Sequence, residues 1–386
     1  MLPRWVHGVA QFRWWLISGA TLAYLPVGYS TSGGDYDFFR NGARVLLGLP
    51  TSGVVGSRGH FGMYAADPST QVGPVALLVT TPLAWLGRDS GRLVLSVVMA
   101  LALTLLLWLT ERAGRILTTR SEPDLQLVVL LAGLMSIPMW HQVVLYAHLD
   151  DVLVMVGAAM AIDCLARGRA LALGAVIGLS VDAKPWALGL LPLVAALPTA
   201  RRRAVAASAA VAVVAVGWAP FLLVRGTLSG LAGYHIPVAA QSPLTLLSIE
   251  PHGPMPAWAR PAQLGIGLLL AGLAVARRRP AAVPLVVVAV RVALDAGAYS
   301  YYYTGLVIGC AILEIAGTNR RIPVLTGLVA FIEFDVTWLL NSNSALAGLN
   351  AAAATLAIAG LLIRPPTPVE APNAVTPTRW FPGACW

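Results

Sequence analysis

Apolar residues in this chain come in long runs separated by short basic clusters. From Trp14 to about Ile363 the runs approach or exceed the roughly 20 residues a helix needs to cross a bilayer. No soluble domain interrupts them, so the pattern predicts one all-α polytopic integral membrane domain over residues 1–363. The expected membrane helices fall at about 14–30, 93–110, 126–145, 152–166, 169–183, 185–198, 204–224, 263–276, 281–298, 301–317, 322–340 and 345–363, about twelve in all.

The basic clusters orient these helices. With the N-terminus inside, intracellular segments hold 17 of the 26 Lys and Arg, and outer segments hold 8, five of them in a long first outer loop, residues 31–92. That asymmetry is the positive-inside signature. The start, "MLPRWVHGVAQFRWWLISGATLAYLPVG", has a basic flank and an apolar centre without a small-residue cleavage site, and reads as a retained signal-anchor. Both termini are therefore expected in the cytoplasm, with residues 364–386, Pro-rich, as a flexible cytoplasmic tail.

Two segments need special treatment to keep the charge count. The run "VGPVALLVTTPLAWLG", 72–87, is assigned to a helix lying in the outer interface, because a full crossing would invert the later clusters. Residues 169–198 are split into two short helices hinged at "DAKP", with Pro185 starting the second. A second outer segment, 225–262, is rich in Gly and Pro and suits a lid or guiding loop.

Composition strengthens this picture: 58% of residues are hydrophobic and 11% charged, against about 25% charged in soluble domains. The net charge of +9 is spread through the inter-helix clusters and forms no stripe for nucleic acid. Cys164, Cys310 and Cys385 lack the close spacing of a zinc site or a disulfide framework.

The polar residues, once placed on this topology, gather at one membrane face. Asp35, Asp37, His60, Asp67, His148, Asp150, Asp151, Asp182, Lys184, His235, Glu250 and His252 all fall outside, with Arg291 and Asp295 just below. Ionisable groups at bilayer depth are costly and mark function.

The ordered segments "DYDFFRNGARVLLGL", "MYAADPSTQVGPVALLVTTPLAWLG", "VLYAHLDDVLV", "RGRALALGAVIGLSVDAKPWALGLLPLV" and "RVALDAGAYSYYYTGL" resemble the polyprenyl-phosphate-mannose-dependent mannosyltransferases of the GT-C superfamily, glycosyltransferase family 87. The likeness runs from about residue 30 to 317. It implies a GT-C-type fold with interfacial helices and a catalytic carboxylate in the first outer loop, Asp35 by position. It also implies a polyprenyl-phosphate sugar donor, most simply mannose, with arabinose and glucose as competitors, and a site facing the periplasm or cell exterior of the inner or plasma membrane. The acceptor would be a glycolipid or glycan.

The chemistry is coherent without the likeness. Transfer from a lipid-phosphate sugar needs a base for the acceptor hydroxyl, which a carboxylate supplies, and cationic or donor groups for the departing phosphate. Lys184, Arg291 and His148 are the candidates for the second task. A single displacement inverts the anomeric centre, unlike the two-carboxylate covalent route.

Each assignment has a structural competitor. Asp35 or Asp37 equally suits an N-cap for the helix that follows. Asp35 and Asp37 read D-x-D, a pattern that can bind a divalent metal, yet two carboxylates fall short of an oxygen-ligand set for Mg²⁺ or Ca²⁺, so a metal is left open and not predicted. Asp150 and Asp151 suit the positive start of a helix, Lys184 a snorkelling position, and Arg291 and Asp295 an i, i+4 pair. Tyr301 and Tyr302 fit either an aromatic belt or a surface that stacks on a sugar. His60, Tyr64 and Gln71 are polar enough to line an acceptor site or to sit in an exposed loop. The competing function is a transporter or flippase of a lipid-linked or small polar substrate, for which interrupted helices and inverted repeats would be the signature.

Overall fold

A computed structural model describes residues 4–27, 29, 34–49, 60–67, 70–233, 236–336 and 346–350. Among these residues the chain is all helical, with one isolated bridge between Pro237 and Pro254 and no strand. His235, Cys385 and the tail 364–386 lie outside the described residues.

Helices α1 (Arg4–Ala10) and α2 (Arg13–Tyr24) open the chain, followed by α3 (Gly34–Leu46), α4 (Met63–Ala66) and α5 (Pro74–Thr80). Two long helices, α6 (Arg88–Leu117) and α7 (Glu122–Tyr146), run up and down beside α2. Next come α8 (Leu149–Ala166), α9 (Ala170–Ala183), a 3₁₀ helix Pro185–Ala196, and α10 (Ala200–Leu222). A short α11 (Thr227–Gly233) precedes α12 (Ala259–Ala276), α13 (Val283–Ala293), α14 (Ser300–Gly317) and α15 (Val324–Phe331).

Four helices, α6, α7, α10 and α12, are long and apolar enough to cross a membrane, which fits a membrane-embedded protein. Helices α8, α9 and α14 cover the ranges expected of them, 152–166, 169–183 and 301–317, whereas others are shorter than the sequence pattern implied. The segment expected at 281–298 ends as a helix at Ala293, and that at 322–340 holds α15 and a π-helical turn, Ile332–Val336. Pro185 starts its own helix as expected, and that helix is 3₁₀. The proposed interface segment forms a helix over Pro74–Trp85, 12 residues, too short to span.

Apolar side chains on nearly every face of α7, α8 and α14 are buried, as in a bundle interior, whereas α10 and α12 turn wide apolar faces outward through Val211, Val216 and Leu269. Helix–helix association inside lipid relies on close backbone approach at small residues. The sequence "GAVIG", Gly174 to Gly178, supplies it on α9: a Cβ on Gly174 would lie 2.0 Å from the Ala206 carbonyl oxygen, and one on Gly178 2.7 Å from the Val213 Cβ. This seam matters to the polar end of the bundle, because α9 carries Asp182 and delivers Lys184.

The segment between α4 and α6 is anchored to the same place. The Gly73 amide donates to the Ala183 carbonyl at 3.0 Å, and a Cβ at Gly73 would meet the Asp182 carbonyl oxygen at 1.8 Å. Helix α5 therefore starts directly on the end of α9.

A substitution pair tests the seam. Gly174→Ala should lower the thermal midpoint in detergent by the equivalent of about 1–3 kcal/mol, the usual cost of overpacking. Gly265→Ala on α12, where a Cβ meets nothing within 4 Å, should be neutral or stabilising by up to about 1 kcal/mol from helix propensity.

Candidate functional site

The turn between α7 and α8 is the centre of the polar cluster. Helix α7 ends on Ala147 in the left-handed region, φ 58°, and His148 caps α8 without a side-chain bond to that helix. Freed from capping, the imidazole reaches two ways. Its Nδ1 lies 2.7 Å from Asp35 Oδ2, and its Nε2 lies 2.9 Å from Lys184 Nζ.

Asp150 and Asp151, in the first turn of α8, are buried. Lys184 Nζ stands 2.9 Å from an oxygen of each. The backbone at Lys184 is extended, φ −156° and ψ 124°, between the end of α9 and Pro185, so the side chain leaves the hinge sideways toward α8. Asp151 uses its other oxygen for Arg291, at 2.9 Å, and for the Trp186 indole N–H, at 3.2 Å. Arg291 in turn lies over the Tyr302 and Trp186 rings, 4.3 and 5.0 Å from their centroids. Asp295 stands 3.6 Å from the Arg291 Nε and accepts the Gly297 amide at 2.9 Å.

Asp35 is the open member of this cluster. It sits in the first turn of α3 with its side chain 40% exposed, while His148, which holds one of its oxygens, is 13% exposed. A tyrosine group flanks the pair. Tyr301 packs on the imidazole with centroids 4.1 Å apart, Tyr299 stacks on Tyr301, and Tyr146 and Tyr302 complete the group. Tyr299 and Tyr146 remain exposed at their outer faces.

The structure thus brings together Asp35, His148, Asp150, Asp151, Lys184, Arg291, Asp295, Tyr301 and Tyr302, from five separate stretches of chain. Other expected members stand elsewhere. Asp37 faces away from Asp35 and takes a two-pronged ion pair from Arg88, 2.6 to 3.0 Å, at the exposed start of α6. His60 approaches the Val45 carbonyl at 3.2 Å. Tyr64 is fully buried, donates to the Val72 carbonyl at 2.8 Å and packs on Trp218 and Phe221, so its hydroxyl belongs to the fold and not to a substrate surface. Gln71 is half-buried.

Asp182 also departs from expectation. Placed two residues before Lys184, it was a natural ion-pair partner, yet Lys184 turns to Asp150 and Asp151. Both Asp182 oxygens are buried without a hydrogen bond, facing Gly217 of α10. The residue that sequence reasoning missed is Trp186. Its position directly after the hinge, facing the same way as Lys184 around Pro185, was the available signal.

No family model matches the chain, and no curated protein matches it. The site therefore has to be read from its own chemistry.

Around His148 two forces compete. Burial disfavours its charged form, but the carboxylates of Asp150 and Asp151 outweigh burial and the opposing Lys184 charge, and the imidazole is raised above its ordinary range. The 2.9 Å contact with Lys184 requires a lone pair on Nε2, so in this geometry the ring is the Nδ1–H tautomer, donating to Asp35. A second proton would instead point Nε2–H at Asp151 or Asp150, 3.2 and 3.4 Å away. The surplus of carboxylates makes that proton easier to add than in water.

This yields a signed pH expectation. Because the folded value is raised, the stability contributed by His148 should be fully present below the ordinary imidazole value of about 6.5 and lost as pH rises through the raised value. Thermal midpoints of wild type and His148→Gln measured across pH should converge toward the alkaline side. A gap that widens there contradicts the charge assignment.

Proposed function

We propose that this chain is an inverting glycosyltransferase that moves a sugar, most simply mannose, from a polyprenyl-phosphate donor to a glycolipid or glycan acceptor at the outer face of a cell membrane. The observation that carries this reading is the 2.7 Å contact between half-exposed Asp35 and largely buried His148.

In the Nδ1–H tautomer, His148 holds one Asp35 oxygen, and among the described residues the other accepts no hydrogen bond. That second oxygen takes the proton as the acceptor hydroxyl attacks the anomeric carbon and the bond to the lipid phosphate breaks. A carboxylate oriented in this way meets the geometric demand on a general base. The tyrosines beside it offer flat faces of the kind on which sugars stack.

Lys184 and Arg291 take part differently from the phosphate-binding role their charges suggested. Each already has carboxylate partners at 2.9 Å. They are the ion-pair partners of Asp150 and Asp151 in a buried place, and Lys184, through His148, fixes Asp35. No divalent metal is required by this arrangement, and none of the steps uses one.

A transporter or flippase remains the second reading, favoured by one feature: two short helices, α9 and Pro185–Ala196, meeting at a buried ionic group, as at the interrupted helices of carriers. Loss of transfer and loss of transport separate the two.

In lipid, wild type should transfer mannose from polyprenyl-phosphate mannose to a panel of glycolipid acceptors, giving a product of inverted anomeric configuration. Asp35→Asn keeps an acceptor oxygen for His148 and should fold, yet lose about 10²- to 10⁴-fold in rate, the usual worth of a general base. Asp37→Asn removes only an exposed, solvent-screened ion pair with Arg88 and should retain transfer. Equal activity of Asp35→Asn and wild type would end the assignment of the base.

A further inference from the structure

His148, Asp150 and Asp151 present a ligand set that suits a divalent first-row cation. One nitrogen or oxygen from each lies within 4.8 Å of the others, and imidazole with two carboxylates is a common donor combination for such ions. The centre of that set is filled by the chain itself. Lys184 Nζ lies 2.9 Å from His148 Nε2, from Asp150 Oδ2 and from Asp151 Oδ2. An ammonium has three N–H donors and no acceptor, so these three contacts use all of its capacity.

We propose that Lys184 is a resident cation that stands where a divalent metal would otherwise bind, and that with Arg291 it does the metal's charge work for this site. The arithmetic of charge supports the pairing. Asp150 and Asp151 bring two negative charges, and Lys184 and Arg291 bring two positive ones, the second through Arg291 Nη1 at 2.9 Å from Asp151 Oδ1. A metal would compete with Lys184 for the same lone pairs and would meet a group of like charge.

Local structure explains why the lysine arrives there. The extended backbone at Lys184 and the proline after it break α9 from the following 3₁₀ helix, so the side chain crosses to the start of α8 and does not run along α9. Trp186 then donates to Asp151 from the other side of the same hinge. Lys184 acts on Asp35 through His148 and is a positioning residue: by donating to Nε2 it holds the Nδ1–H tautomer that faces Asp35.

This inference takes the cluster as the working centre under the proposed function, but its decisive readout is metal binding and does not depend on transfer. The full chain in detergent, as wild type, Lys184→Ala and Lys184→Ala with Asp150→Asn, would be titrated with Mn²⁺, following free ion by its electron paramagnetic resonance signal and stability by thermal melting. Wild type should take up no ion at the cluster and show no Mn²⁺-dependent shift. Lys184→Ala should gain one bound equivalent and a melting temperature that rises with Mn²⁺ concentration, and the added Asp150→Asn should abolish both. Uptake of one equivalent by wild type that Asp150→Asn removes would overturn the proposal, as would a folded Lys184→Ala that binds none. Should Lys184→Ala not fold, Mn²⁺ added during purification should recover it, and Lys184→Arg, which keeps the charge, should fold without the ion. Failure of Mn²⁺ to recover the alanine variant would count against the idea. Loss of transfer in wild type with metal binding as described would discard the transferase reading and leave the resident cation standing.

Discussion

Everything at the polar end of the bundle depends on Asp151. Its two oxygens receive Lys184, Arg291 and the Trp186 indole, donors from two other parts of the chain, the α9 hinge and α13, and these meet at the start of α8 beside the α7–α8 turn. A buried carboxylate of this kind does not make the fold more stable than an apolar core would, because desolvation offsets the attraction. Removing one partner, however, costs about 3–5 kcal/mol by leaving a buried charge uncompensated. The network therefore selects one relative arrangement of helix ends, and that arrangement is what presents Asp35.

Packing brings those ends within reach. The glycines of α9 let it close on α10, and Gly73 lets α5 begin on the α9 terminus, so Lys184 is held between a rigid helix pair and the segment between α4 and α6. Gly91 does the same for α3, where a Cβ would lie 2.0 Å from the Tyr36 hydroxyl oxygen. Close approach at these four glycines thus converts loose apolar helices, which have little reason to choose one register in lipid, into a frame with a fixed polar end.

Much of this was legible in the sequence, and the limits were physical. The apolar runs marked the long helices α6, α7, α10 and α12 and the break at "DAKP", and the sequence singled out Asp35, His148, Asp150, Asp151 and Lys184, which the fold brings together. Contacts within that group were not legible, because α7, α8 and α9 are apolar on all sides and their sequences carry no stripe that says which face turns inward. So Lys184 was as well matched to Asp182, two residues away, as to Asp150 and Asp151, which only the fold brings near. Likewise Asp35 and Asp37 looked equivalent. On a helix, residues two apart point in different directions, and the structure sends Asp37 to Arg88 and Asp35 to His148. His60, Tyr64 and Gln71 were grouped with the site by loop membership alone, which says nothing about direction.

The opposite end of the bundle shows what a purely structural ionic group looks like in this protein. There Arg13 binds Glu111 through two contacts of 2.7 Å, Arg115 bridges Glu111 and Glu122, and Arg112 and Arg167 share Asp163. Glu314 caps the start of α15 through the Leu325 and Thr326 amides, and Arg120 ties the end of α14 through the Glu314, Ile315 and Thr318 carbonyls. In these groups both oxygens of each buried acid, Glu111, Asp163 and Glu314, have partners. At the other end Asp35 differs in kind: one oxygen is held by a buried imidazole while the side chain stays 40% exposed. Asp37 is about as exposed, yet both of its oxygens accept from Arg88, whereas among the described residues only one oxygen of Asp35 is held. Leaving it open beside exposed tyrosines, with its position set from beneath by a neutral ionic quartet, is the arrangement a base requires and a clamp does not.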